Sequence, residues 1–242
     1  MYIHGMRSAA IVVAFMLATA VRAQDNTWLM CEAISPGPNL EASMRACTAV
    51  IESRPESLVR RALAHLNRAN GYQFKGDNDK AIADYDQSIT LNPGDARAFY
   101  SRGNAYSNKA QHDRAIADFG QALTLNPEYA SAFNSRCYEL AIVGNTAKAL
   151  ADCNESLRLR PGDAPTLDSR AFTYLKMREW NKAIADYDAV LRTSPTQASS
   201  LFGRGVARLR TGNTEGGNAD LAAAKARQSD IGAEMKALGI VP

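Results

Sequence analysis

AIADYDQSITLNP (residues 81–93), AIADFGQALTLNP (115–127), ALADCNESLRLRP (149–161) and AIADYDAVLRTSP (183–195) are near-copies of one another, each starting 34 residues after the last. A fifth, eroded copy, GNADLAAAKARQS, starts at Gly217 on the same count. A period this regular identifies a chain of stacked units. One short unit has no interior of its own and hides its apolar surface only against its neighbours.

Each unit divides into two helical patterns. Between Ala96 and Pro127 the first half places Phe99, Gly103 and Tyr106 at helical spacing, and the second places Ala115, Ile116, Phe119, Ala122 and Leu123 on one face. A polar break at Gln111-His112-Asp113 offers caps for the second helix. Pro93, Pro127, Pro161 and Pro195 end the second helices. Gly76, Gly144 and Gly212 stand at the turn inside three units, and Ala110 and Arg178 replace them in two, where the turn is expected to be less comfortable. The pattern predicts a right-handed array of antiparallel helix pairs.

That array resembles the tetratricopeptide repeat family over residues 62–228. The resemblance is carried by the small residue of the first helix (Ala69, Gly103, Gly205) and the aromatic three on (Tyr72, Tyr106, Tyr174). The second helix opens on a small residue (Ala81, Ala115, Ala149, Ala183), with a bulky one four on (Tyr85, Phe119, Tyr187) and a closing Pro. It implies an all-α solenoid, a superhelix of stacked antiparallel helix pairs, with repeats at 62–95, 96–129, 130–163, 164–197 and 198–228. Residues 24–61 read as a degenerate capping repeat interrupted by Pro36 and Pro38, and 229–242 as a C-terminal capping helix.

The N-terminus reads separately. Arg7 precedes an apolar run from Ala9 to Ala20, and Val21-Arg22-Ala23 puts small side chains where a signal peptidase reads. Residues 1–23 are thus expected to be a secretory signal, cleaved near Ala23, with an uncleaved anchor as the alternative; the mature chain would be periplasmic or secreted. Loss of Arg7 and Arg22 takes the formal charge from +3 to +1, and no basic run stands out, so no nucleic-acid partner is expected. No second apolar run is long enough for a membrane span.

Cys31 and Cys47 are 16 residues apart, as are Cys137 and Cys153. In repeat phase the first of each pair takes the small-residue slot and the second the bulky slot. In the family fold these slots face each other, which implies disulfides Cys31–Cys47 and Cys137–Cys153, stapling one helix pair each. The alternative is four buried free thiols. A second coupling is electrostatic. Arg68, Arg102, Arg136, Arg170 and Arg204 recur in phase, and so do Asp84, Asp118, Asp152, Asp186 and Asp220. Family members usually carry an apolar residue and an aromatic there. The pairing implies a structural ion-pair ladder, within or between adjacent repeats, with an arginine row gripping an anion as the alternative.

No metal, cofactor or catalytic site is expected. His4 lies in the leader, His65 shares the slot of Phe99 and Phe133 and reads as core, and His112 lies in a turn. Function then rests on surface. The resemblance implies a concave groove lined by first helices, with Leu66, Asn70, Phe74, Arg97, Tyr100, Asn104, Asn108, Asn134, Tyr138, Asp168, Phe172, Lys176, Phe202 and Arg210 as groove candidates. Such a groove implies a protein or peptide partner and a non-enzymatic interaction module of the envelope. A self-associating structural homo-oligomer and an assembly cofactor of a cell-wall or secretion machine are the other readings. The Lys-rich clamp by which some family members hold a terminal carboxylate is missing.

Overall fold

The computed structural model describes residues 25–53 and 57–242; the leader read over 1–23 lies outside them. The chain is all-α, with no strand among the described residues. It divides into two compact units, one reaching Ala105 and the other spanning Tyr106–Pro242.

The first unit holds a short helix α1 (25–32), α2 (Leu40–Glu52), α3 (Leu58–Phe74), α4 (Asn78–Leu91) and most of α5 (Ala96–Asn108). Its helices pack as pairs, α3 on α4 most extensively and α2 on α3. Leu66, Ala69, Ala81, Tyr85, Ala98 and Ala105 form one buried cluster, and Cys31, Ala46, Cys47, Val50 and Ala64 another.

The second unit continues through α6 (His112–Leu125), α7 (Ala130–Ile142), α8 (Thr146–Leu159), α9 (Ala164–Lys176), α10 (Trp180–Thr193), α11 (Ala198–Arg210), α12 (Thr214–Arg227) and α13 (Ile231–Ala237). The pairs α7–α8, α9–α10 and α11–α12 stack, and each first helix also meets the one before it, α9 on α7 and α11 on α9. In the last pair the helices approach closely: a Cβ on Gly205 would sit 3.0 Å from the Gly217 carbonyl oxygen.

Turn chemistry follows the period. Gly76, Gly144 and Gly212 take positive φ at the bend inside their pairs, and Ala110 and Arg178 are held in the same left-handed region at φ 53° and 60°. That region costs a residue with a Cβ about 1 kcal/mol. Gln111, the N-cap of α6, makes no side-chain cap bond, contrary to the capping reading of that break. Its amide oxygen accepts from Arg114 instead.

The arginines join helices in threes. Arg68, Arg136, Arg170 and Arg204 each grip the carboxylate 16 residues on in a two-pronged contact, at 2.6–2.8 Å, to Asp84, Asp152, Asp186 and Asp220. The remaining Nη of three arginines reaches back to the preceding second helix. Arg68 donates to Thr48 at 3.1 Å, Arg170 to Asn154 at 3.0 Å and Arg204 to Asp188 at 2.7 Å. Arg102 in the first unit also reaches back, to Asp86 at 2.6 Å; its phase partner Asp118 is a buried residue of the second unit. His65, buried as the phase argument expects, adds its Nδ1 to Asp84 at 2.9 Å. Burial pushes the Asp84 carboxyl up, and its bonds from Arg68 and His65 outweigh this and hold it below the usual carboxylate range.

The backward slot holds Asp86, Gly120, Asn154 and Asp188, so Arg136 faces glycine. A Cβ on Gly120 would lie 3.6 Å from Arg136 Nη1, an unstrained approach. Gly120→Asp should therefore complete the third arm and remove a helix-interior glycine, stabilising the protein by about 1 kcal/mol. Urea unfolding of the two proteins checks this; an unchanged or lower midpoint would show that the backward arm is not stabilising.

Candidate functional site

In the first unit the groove candidates are spread along α3 and α5. Leu66 is 4% exposed and belongs to the core, which corrects its assignment to the groove. Asn70 is committed inward: the Tyr85 hydroxyl lies 2.7 Å from its Oδ1. Arg97 bonds Asp95 at 2.7 Å within its own turn. Phe74 is half exposed, while Tyr100 and Asn104 are partly buried. Asn108, at the end of α5, is exposed and belongs to the second unit.

The second unit assembles its candidates. Asn134 and Tyr138 stand one turn apart on α7, and Asp168 and Phe172 occupy the matching positions on α9. The Tyr138 and Phe172 rings meet at 5.5 Å, tilted by 42°, a favourable aromatic arrangement. Asn134 Oδ1 is buried and has no hydrogen-bond partner among the described residues, which leaves an acceptor unsatisfied. Burial pushes the Asp168 carboxyl above the usual range, only partly relieved by the bond it accepts from the Ser200 hydroxyl. Burial likewise raises the Tyr138 phenol, helped by the negative charges of Glu139, Glu234 and Asp168.

Two of the aromatic groove candidates are not exposed, contrary to expectation. Phe172 and Phe202 are 4% and 6% exposed and do not line an open groove. They share one apolar cluster with Ile231, Met235 and Ile240 from the C-terminal segment. Lys176 Nζ donates to the Leu238 carbonyl at 3.0 Å, and Arg210 Nη2 to the carbonyls of Val241 and Pro242 at 3.4 and 3.2 Å. Four groove candidates thus touch or share a core with the protein's own tail. A capping helix is expected over 229–242, but its reach back to Lys176 on α9 is not, because the tail lies outside the repeat phase.

A second buried carboxylate escaped the sequence reading. Glu139 is 1% exposed and takes the Ser107 hydroxyl on one oxygen and His112 Nδ1 on the other, the latter at 2.6 Å. His112 is therefore partly buried at the start of α6 rather than loose in a turn. Ser and His both point at the Glu, so this is a satisfied buried charge and not a nucleophile held by a base. Among the described residues no cluster of three or more His, Cys, Asp or Glu is placed to hold a metal, and no helix is long and apolar enough to cross a membrane.

The cysteines lie at disulfide distance: Cys31 and Cys47 sulfurs are 2.09 Å apart and Cys137 and Cys153 sulfurs 1.99 Å. All four residues are fully buried, one pair in each unit.

Family models of the tetratricopeptide repeat match residues 69–109, 96–129 and 170–231. No curated protein matches the chain in sequence. Among solved structures it is similar to PilW, a type IV pilus biogenesis factor, at TM-score 0.71 and 20% identity over 84% of this chain and 93% of that one. Pseudomonas aeruginosa PilF gives TM-score 0.71 and 20% identity over 89% and 97%. YrrB, a repeat protein with an unusual peptide-binding site, gives 0.61 and 24% over 81% and 97%. At these identities the likeness establishes the fold.

Asp168 yields a pH test. Its folded carboxyl keeps its proton to a higher pH than in the unfolded chain, so the buried charge costs stability at neutral pH and the cost fades as pH falls. Asp168→Asn should raise the thermal midpoint at pH 7, with the gain over the parent shrinking towards pH 4. A gain constant across that range would assign the effect to packing instead.

Proposed function

Since the chain carries tetratricopeptide repeats, we propose that it is a non-enzymatic protein-interaction module of the cell envelope, holding a peptide or partner protein on the first-helix face of its second unit. One observation carries this reading: the unpartnered, buried Asn134 Oδ1 beside the Tyr138–Phe172 ring pair. An orphaned acceptor is unfavourable in the free protein and is satisfied by a ligand that brings an N–H donor, as an extended or helical peptide does. Aromatic anchors next to it supply the contact area that dominates interface energy.

An oxidising compartment is part of the proposal. The two cysteine pairs at bonding distance support it, together with the leader pattern over 1–23. Each bridge would close a short loop, worth about 3 kcal/mol on a chain-entropy basis. PilW, which shares the fold, is described as a type IV pilus biogenesis factor, which is compatible with this setting.

Two measurements test the reading. Protein purified from the periplasm and unfolded without reductant should show no Ellman-reactive thiol; four reactive thiols would remove the oxidising-compartment argument. Envelope extract passed over the immobilised protein should yield a partner that Tyr138→Ala retains at least tenfold less, with circular dichroism unchanged. Equal capture by both proteins would place binding elsewhere.

A further inference from the structure

The C-terminal segment does more than close the end of a stack. A cap needs only to cover the last pair, α11 and α12, and α13 packs on both. The chain then runs on, one repeat back. Leu238 reaches Lys176 on α9, and Gly239, Ile240 and Val241 line a cleft with Leu175, Lys176 and Arg210. Hiding an end face does not require contact with α9.

The way the segment is held is also that of a bound peptide. Ile231, Met235 and Ile240 are 1%, 3% and 5% exposed, and Leu238 is partly buried against the same cluster. An ideal Cβ on Gly232 would sit 3.9 Å from the Phe202 ring. The polar anchors, Lys176 and Arg210, bond backbone carbonyls and read no side chain. At seven residues, α13 is too short to hold its shape alone, so these contacts are what order it. The turn at 228–230 joins it to α12, and Gln228 Nε2 donates to Glu234 at 2.7 Å.

The occupant also leaves needs unmet. Asn134 Oδ1 remains without a donor. Glu234 brings a third carboxylate to the neighbourhood of Tyr138, where Glu139 and the buried Asp168 already act.

We propose that the face of α9 and α11 is a docking groove for a short amphipathic helix followed by a turned tail, that residues 231–241 occupy it in cis as a stand-in, and that a partner segment of the same shape and apolar register displaces them. The register is Ile231, Met235, Leu238 and Ile240, so the partner carries bulky aliphatic residues at the first, fifth, eighth and tenth positions of its segment. A basic residue fits at the fourth position, where this chain has Glu234. This deepens the interaction reading above and rests on it, adding the partner's chemistry and the reason an apolar groove stays covered until the partner arrives.

The test uses the full chain and a labelled peptide of residues 229–242, read by fluorescence anisotropy. The parent protein should bind it weakly, because the cis segment competes. Met235→Asp, which expels the cis segment, should bind it at least tenfold tighter, and Ile240→Asp, which releases only the tail, should also bind it more tightly than the parent. Circular dichroism should show folded repeats in both variants. A peptide with Ser in place of Ile231 and Met235 should not bind, and one with Lys in place of Glu234 should bind more tightly than the parent peptide. If neither folded variant gains affinity, the inference falls. Envelope capture sensitive to Tyr138 alongside that failure would leave the interaction module standing. Peptide binding without any captured partner would sink the module reading and keep the groove.

Discussion

A guanidinium group wedged between three helices constrains most of this protein. It carries five N–H donors in one plane, and partial burial makes every unanswered donor expensive. The chain answers with acceptors on two sides. An Asp 16 residues ahead takes Nε and one Nη, and a residue on the preceding second helix takes the other Nη at Arg68, Arg170 and Arg204. Because the contact is two-pronged and planar, it fixes the rotation and height of each first helix against its partner. Apolar packing of Ala on Tyr or Phe could slide by a fraction of a turn; a forked ion pair cannot. Buried pairs return little net stability, so their contribution here is register.

Much of this was legible in the sequence because it repeats. A contact that recurs every 34 residues leaves a column of identical residues, and the Arg and Asp columns pointed to each other. The helix pairs, their proline ends, the paired cysteine slots and the core His65 were read in the same way. The backward arm was missed because its column is mixed, with Asp86, Gly120, Asn154 and Asp188. Asp and Asn fill the slot with different acceptors, and Gly120 leaves it empty. Glu139 with His112 and Ser107 was missed for a related reason: it occurs once, so no column marks it.

The candidate site was only half legible, and the missed half lies off the period. Phase arithmetic put Tyr138 and Phe172 at equivalent positions of successive first helices, and their rings do meet. It gave no account of a tail that folds back across them, because residues 229–242 belong to no repeat. Phe172 and Phe202, read as groove residues, are therefore buried in one cluster with Ile231 and Met235. A repeat pattern specifies which face a residue joins; what covers that face depends on the irregular segments at its edges.

Irregularity also marks where the chain departs from what its fold requires. One slot of the first helices holds Tyr100, Asn134, Asp168 and Phe202 in successive units. A tyrosine or phenylalanine there adds apolar contact at no cost in buried charge. Asp168 brings a carboxylate that burial disfavours, and Asn134 brings an acceptor that finds no donor. Neither is needed for helix register, which the arginine contacts on the other side already fix. Two such polar groups thus sit one repeat apart in a slot that aromatic residues fill elsewhere, and the proposed partner is one that relieves them. The arginine slots repeat because helix register depends on them, and the slot of Asn134 and Asp168 varies because register does not depend on it.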